Sequence, residues 1–109
     1  MAKYLTTYNA TIPSGATTST TIPLNGARPL ALRLPAAMTN TSLQFYGSID
    51  GSDFKPIYDD AGSIVTIAVN PDSVVDLQWA GNLAPYVKLV GSLAEAADRS
   101  LAMVAEVEV

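Results

Sequence analysis

The chain of 109 residues carries a net charge of −4, with 49% hydrophobic and 15% charged residues. This length suits a single domain with one hydrophobic core, and the composition excludes a disordered chain. The six basic residues are scattered, which excludes a basic surface for nucleic acid, and no stretch approaches the ~20 apolar residues of a membrane span.

The first predicted strand covers residues 3–12 and places Tyr4, Tyr8 and Ile12 on one face. A Pro-Ser-Gly turn ends it, because Pro donates no hydrogen bond to a ladder and Gly turns freely. The Thr-rich stretch that follows is interpreted as the exposed faces of strands. Alternatively, residues 1–12 form an arm that docks on a partner or is exchanged between copies.

A hairpin is predicted in the middle of the chain. Residues 42–49 alternate, with Leu43, Phe45, Gly47 and Ile49 on one face, and an Asp-Gly dipeptide follows at once. Because Gly adopts positive φ without a steric clash, this dipeptide suits a tight turn to a return strand at residues 54–58.

The next strand, residues 63–69, has apolar residues on both faces and is predicted to be a central strand covered on both sides. Further strands are predicted at residues 74–79, 86–90 and 99–109. Between the last two, Ser92 and Glu95 have the spacing of a capping box, which predicts one or two helical turns over residues 92–98.

A core can be assigned from the alternation, with one inward residue from each of five segments: Leu32, Phe45, Ile67, Leu89 and Met103. Short strands at regular spacing, separated by Gly, Pro, Asn and Asp, are typical of antiparallel all-β domains. The sequence therefore predicts a single β-sandwich or jelly roll of about eight strands over residues 1–109.

The sequence offers few residues that could act in catalysis. It contains no His and no Cys, which excludes Ser-His-Asp and Cys-His arrangements. Four carboxylates, Asp50, Asp53, Asp59 and Asp60, fall at predicted turns, where Asp caps backbone amides. A Ca²⁺ site built from the same oxygens is the alternative. We predict turn chemistry, and hence no enzyme, no metal and no cofactor.

Two aromatic residues, Trp79 and Tyr86, flank a predicted loop. Side by side and exposed, they would form a platform for a sugar. The favoured interpretation is that they pack at the edge of the core.

Several phrases of the sequence resemble small structural proteins of tailed bacteriophages and prophages. They are residues 48–59 (SIDGSDFKPIYD) with Gly62, residues 86–90 (YVKLV) and residues 97–101 (ADRSL). The hairpin and the YVKL strand are also similar to discoidin-type sandwiches that bind carbohydrate or lipid. Both resemblances imply a β-sandwich.

The phage resemblance implies a virion structural protein, foremost a capsid decoration (cement) protein on the outside of the head. A head-fibre or tail accessory domain and a carbohydrate-binding module are the alternatives. The expected partners are the major capsid protein or another virion protein and further copies of the chain, with a homotrimer expected. Without a predicted signal peptide, the chain is expected to be made in the host cytoplasm. The expected interaction residues are Tyr4, Tyr8, Ile12, Trp79 and Tyr86.

Overall fold

Two antiparallel sheets enclose one core in the computed structural model, which describes residues 2–81 and 83–108. These residues contain nine strands: β1 Lys3–Ile12, β2 Ile22–Pro23, β3 Arg28–Arg33, β4 Ser42–Ser48, β5 Lys55–Pro56, β6 Thr66–Ala68, β7 Val74–Asp76, β8 Tyr86–Val90 and β9 Arg99–Glu108. The predicted all-β antiparallel fold is confirmed.

The first sheet has the strand order β1-β9-β3-β7. Its two 10-residue strands, β1 and β9, pair along their full length without a bulge, from Lys3 opposite Glu108 to Ile12 opposite Arg99. The segment proposed as a docking arm is therefore an edge strand of the sheet in the described chain.

The second sheet has the order β2-β8-β4-β5, with β6 also paired to β4. The hairpin prediction is confirmed, because β4 and β5 pair through Tyr46 opposite Pro56 and Gly47 opposite Lys55. Gly51, at the tip between them, has φ 84°, as the Asp-Gly dipeptide predicted.

The core lies between the two sheets and takes alternate residues from the strands. All five residues predicted to be inside are buried, none more than 2% exposed: Leu32, Phe45, Ile67, Leu89 and Met103. Alternation works here because each long strand has one face on the core and one face toward solvent.

The inward placement of Ile49 is wrong, since this side chain is 87% exposed. The strand ends one residue earlier, at Ser48, whose hydroxyl accepts the amides of Asp50 (3.2 Å) and Gly51 (2.9 Å). These bonds turn the chain out of the ladder, so alternation stops before Ile49.

The central position predicted for residues 63–69 is also wrong. Among the described strands β6 pairs with β4 alone, at the edge of the sheet, and it buries Ile67 while Thr66 and Ala68 are exposed. Val65 and Val69 point inward with Ile67. β6 is short and lies at the sheet edge, and its outer face carries Thr66 and Ala68, which are exposed to solvent.

The helical turn predicted over residues 92–98 does not form. Glu95 does not cap Ser92; its side chain is buried against a distant loop. Its carboxylate accepts the amides of Thr39 (2.8 Å) and Asn40 (3.0 Å) and the Arg99 Nε–H (2.9 Å). Because these distant partners hold the Glu95 side chain, it is not free to cap a helix, and the local helix signal is overridden.

A short 3-10 turn occurs elsewhere, at Gln78–Ala80, directly after β7. It is anchored by Leu77, which is fully buried and donates its amide to the Leu30 carbonyl at 2.9 Å. No helix in residues 2–81 and 83–108 has the length and apolarity needed to cross a membrane.

Candidate functional site

An exposed aromatic side chain, Trp79, lies on the 3-10 turn that follows β7. Its indole is 56% exposed, and its Nε1–H donates to the Asp76 carbonyl at 2.7 Å. The Gln78 amide donates to the Asp76 carboxylate at 3.1 Å, so Asp76 accepts one hydrogen bond from the backbone of the turn and one from the Trp79 side chain. The indole ring is thus held at the surface by the hydrogen bond that its Nε1–H donates.

A cleft of about 320 Å³ opens beside Trp79, and its other aromatic wall is Tyr58, which is 60% exposed. Asp59 and Asp60 supply carboxylates at the same opening. The floor is apolar and consists of Ile57, Val65, Ala80 and Leu83.

The turn that carries Tyr58 and the two carboxylates is held by its own hydrogen bonds. Asp59 Oδ1 accepts the amides of Ala61 (2.9 Å) and Ser63 (3.0 Å), and the Asp59 amide donates to the Ser63 carbonyl at 2.8 Å. Tyr58 itself forms an isolated bridge with Ile64. Both aromatic walls of the cleft therefore sit on rigid turns.

This arrangement has the chemistry of a saccharide site. Apolar faces of sugar rings pack on exposed aromatic rings, and sugar hydroxyls donate well to carboxylates. The volume lies at the lower end of the range usual for small-ligand sites, which suits one or two sugar units.

Tyr86, the other residue of the alternative aromatic platform, does not line this cleft. It begins β8, is half-buried, and packs its ring against the hairpin tip, where a Cβ on Gly51 would lie 3.5 Å from the Tyr86 Cζ. The cleft beside Trp79 thus has Tyr58, and not Tyr86, as its second aromatic residue.

The carboxylates of the hairpin bind their own backbone. Asp50 Oδ1 accepts the amides of Ser52 (2.8 Å) and Asp53 (3.1 Å) and the Ser48 hydroxyl (2.8 Å). These hydrogen bonds lower the pKa of Asp50 from 3.8 to about 2. Asp53 pairs with exposed Lys55 at 3.4 Å.

Turn chemistry therefore accounts for Asp50 and Asp59 through observed bonds. In the part of the chain that the structure describes, no three acidic, His or Cys residues are grouped so that they could hold a metal ion.

The three N-terminal interaction residues share the inner face of β1 but differ in exposure. Tyr4 is 52% exposed, Tyr8 is half-buried against the core, and Ile12 is fully buried. Ile12 is therefore a core residue and presents no surface to a partner. Leu5, on the outer face of the same strand, is 63% exposed.

Other clefts lie elsewhere on the surface, and two of them have a similar volume. One, on the outer face of the first sheet, is lined by Asn9, Arg33 and Ala102 and their neighbours. The other lies beside the hairpin, under Ile49 and the Asp53–Lys55 pair. Neither brings together aromatic and acidic groups as the Trp79 cleft does.

Comparison with known proteins gives a structural likeness and no likeness in sequence. No protein-family model matches the chain, and no curated protein matches it. One similar solved structure is the crystal structure of the SPBc2 prophage-derived protein YomS, with a TM-score of 0.57 and 12% sequence identity. The match covers 98% of this chain and 96% of that one. At this identity the likeness shows a shared fold.

Proposed function

We propose that this chain is a structural protein of a phage particle, and that it decorates the outside of the head. The observation that carries the proposal is the end-to-end fold likeness to a prophage-derived protein, covering 98% of one chain and 96% of the other. The sequence phrases that resemble phage structural proteins support it independently. The proposed role is adhesive and involves no catalysis.

The surface supports an adhesive role. Several large apolar side chains are exposed: Tyr4, Leu5, Ile49, Tyr58, Val74, Trp79 and Leu93. Such side chains serve as anchors when a partner covers them. Several small contacts, repeated over a symmetric shell, add up to firm attachment even where each is weak.

The proposed partners are the major capsid protein, or another protein of the particle, and further copies of the chain. Binding to heads can be tested with particles made without the protein, which are mixed with the purified chain and sedimented. We expect the chain to sediment with these heads and to saturate at a fixed number of copies per head. Failure to bind heads would overturn the decoration role.

Particles from the same preparation also separate the neighbouring roles. Electron microscopy with a gold-labelled antibody is expected to mark the head surface. Label confined to fibres or to the tail would replace decoration by the head-fibre or tail accessory role.

A second candidate, carbohydrate binding, is favoured by the cleft between Tyr58 and Trp79. Titration of the isotope-labelled chain with a panel of oligosaccharides is expected to move amide signals around Asp59 and Ala80 if the cleft binds sugar. Trp79→Ala and Tyr58→Ala should abolish these shifts, whereas Tyr4→Ala, which changes an exposed tyrosine of β1 that does not line the cleft, should not. The absence of shifts with every sugar would remove this candidate.

A further inference from the structure

The outer edge of β1 is the feature that the proposed function leaves unexplained. β1 is the first strand of its sheet, and among the strands that the structure describes it pairs with β9 alone. Near its end, Thr11 turns both backbone groups away from β9: its amide donates to the Thr20 hydroxyl at 3.0 Å, and its carbonyl accepts the Thr20 amide at 2.9 Å.

Backbone groups of an antiparallel strand alternate between its two sides, and the β1–β9 register has no bulge. The groups of Leu5, Thr7 and Asn9 therefore point to the same side as those of Thr11, away from β9. Within residues 2–81 and 83–108, no backbone bond from another segment reaches them. The stretch Lys3 to Asn9 is thus an open strand edge that ends where Thr20 covers Thr11.

This open edge lacks the usual protection. Natural edges carry Pro, bulges, inward charges or repeated Lys, which prevent pairing with another strand. Residues 3–9 contain no Pro, no Gly and no acidic residue, and the single Lys3 stands at the far end, where its ammonium lies 3.6 Å from Glu106 of the same chain. Tyr4 and Leu5 are both more than half exposed.

We propose that this edge pairs with the same edge of a second copy, antiparallel, with a two-fold axis through Thr6. A second copy is the partner expected at this edge, because the sequence of β1 is compatible with pairing to itself. A symmetric pairing that uses the whole open stretch from Lys3 to Asn9 must be centred on Thr6. In that register Leu5, whose backbone groups point away from β9, lies opposite Thr7 of the other copy. The free backbone groups of the two residues therefore face one another.

The side chains are compatible with this pairing on both faces. On one face Tyr4 lies opposite Tyr8 of the other copy, an aromatic pair of the kind that stabilises sheets. On the other face Lys3 lies opposite Asn9, so no like charges meet, although each copy has a net charge of −4. The pairing adds about eight backbone hydrogen bonds and closes both edges. It makes a two-fold dimer in place of the trimer expected from the sequence.

Because the natural chain has no Cys, single-cysteine variants can test the register. At the axis, two copies of residue 6 form a non-hydrogen-bonded pair with Cα atoms about 4.5 Å apart, within the range that a disulfide spans. Thr6→Cys should therefore give a disulfide-linked dimer under mild oxidation. Thr7→Cys is the matched control, since the two residues 7 lie diagonally and too far apart.

A second pair of variants tests whether the open edge holds the dimer. The Thr7 amide points to the free side, so Thr7→Pro should keep the fold and shift the chain from dimer to monomer in sedimentation analysis. Thr6→Pro, which removes an amide bonded to β9, should lower the melting temperature instead.

Three results would overturn the proposal. The first is a full-length chain that stays monomeric at every concentration. The second is equal cross-linking of Thr6→Cys and Thr7→Cys. The third is a dimer or trimer that Thr7→Pro leaves intact, which would place the contact on another surface. Head binding is measured separately, so either proposal can fail while the other stands.

Discussion

At the scale of single residues, Glu95 ties together three separate parts of the chain through its backbone and its buried carboxylate. Its backbone bonds Gly15 and Ala16, and its side chain bonds Thr39 and Asn40 as well as Arg99. Burial by itself raises the pKa of Glu95, but the hydrogen bonds from Thr39, Arg99 and Asn40 outweigh it and lower the pKa from 4.5 to about 2. The charged form is therefore the one that the fold needs.

Stability should consequently depend on pH in the acid range. Because the folded pKa lies below the ordinary value, the unfolded chain binds more protons between about pH 5 and pH 2, and the stabilisation present above pH 5 is lost as the pH falls through this window. Asp50, whose pKa is lowered to about 2 as well, adds to the same loss. Urea titrations at several pH values measure this slope.

The variant Glu95→Gln isolates the contribution of Glu95. It should lower the free energy of unfolding at pH 7 by about 2–4 kcal/mol, because an amide cannot accept all the hydrogen bonds that the carboxylate accepts. Its pH dependence between 5 and 2 should also be flatter than that of the natural chain. Unchanged stability with an unchanged slope would mean that this carboxylate does not hold the fold.

Gly91 offers a second test of the same region, based on space. A Cβ at this position would overlap the side-chain amide of Asn40, which is held by Leu93 and Glu95. Gly91→Ala should therefore cost about 1–3 kcal/mol. The neighbouring exposed residue gives the control, since Ser92→Ala should stay within about 0.5 kcal/mol. Thermal melting of both variants decides the matter, and equal melting temperatures would refute the overlap.

At the scale of elements, alternation predicted the core because the long strands have one buried face each. It placed Phe45, Leu89 and Met103 correctly inside. It failed at Ile49, because the strand ends at Ser48, whose hydroxyl accepts the Asp50 amide. It also failed at β6, because the position of a strand in the sheet depends on which strands pair.

Two further features could not be predicted from the sequence, because each depends on contacts between segments that are distant in the chain. The capping-box pattern at Glu95 is local, but its partners Thr39 and Asn40 lie more than fifty residues away in the chain. The Trp79 cleft likewise depends on Tyr58, which comes from a different hairpin. Contacts between distant segments have no periodic signal, so neither could be predicted.

The two faces of β8 give a direct test of the strand assignment. Leu89 is fully buried opposite Phe45, and Leu89→Ala should cost about 2–5 kcal/mol through the cavity it leaves. Lys88 points to the other face, where its ammonium lies 4.4 Å from the centre of the Phe54 ring. Lys88→Ala should cost only about 0.5–1 kcal/mol. Chemical denaturation of the two variants would contradict the assignment if the losses were equal.

At the scale of the whole molecule, fold and function rest on different residues. The core residues sustain a two-sheet fold that is shared with a prophage-derived protein at only 12% identity. The proposed adhesive role rests instead on exposed side chains, among them Tyr4, Leu5 and Trp79, which contribute little to the core. Surface variants should therefore change binding without changing the fold.

The central proposal, that the chain is a component of the phage head, is tested most directly by its copy number in purified particles. Particles are separated on a density gradient, and mass spectrometry with labelled standards measures the ratio of this chain to the major capsid protein. A decoration protein should be present in many copies at a fixed ratio, and the ratio should be the same in heads without tails. Absence of the chain from purified particles, or its loss together with the tails, would contradict the proposal.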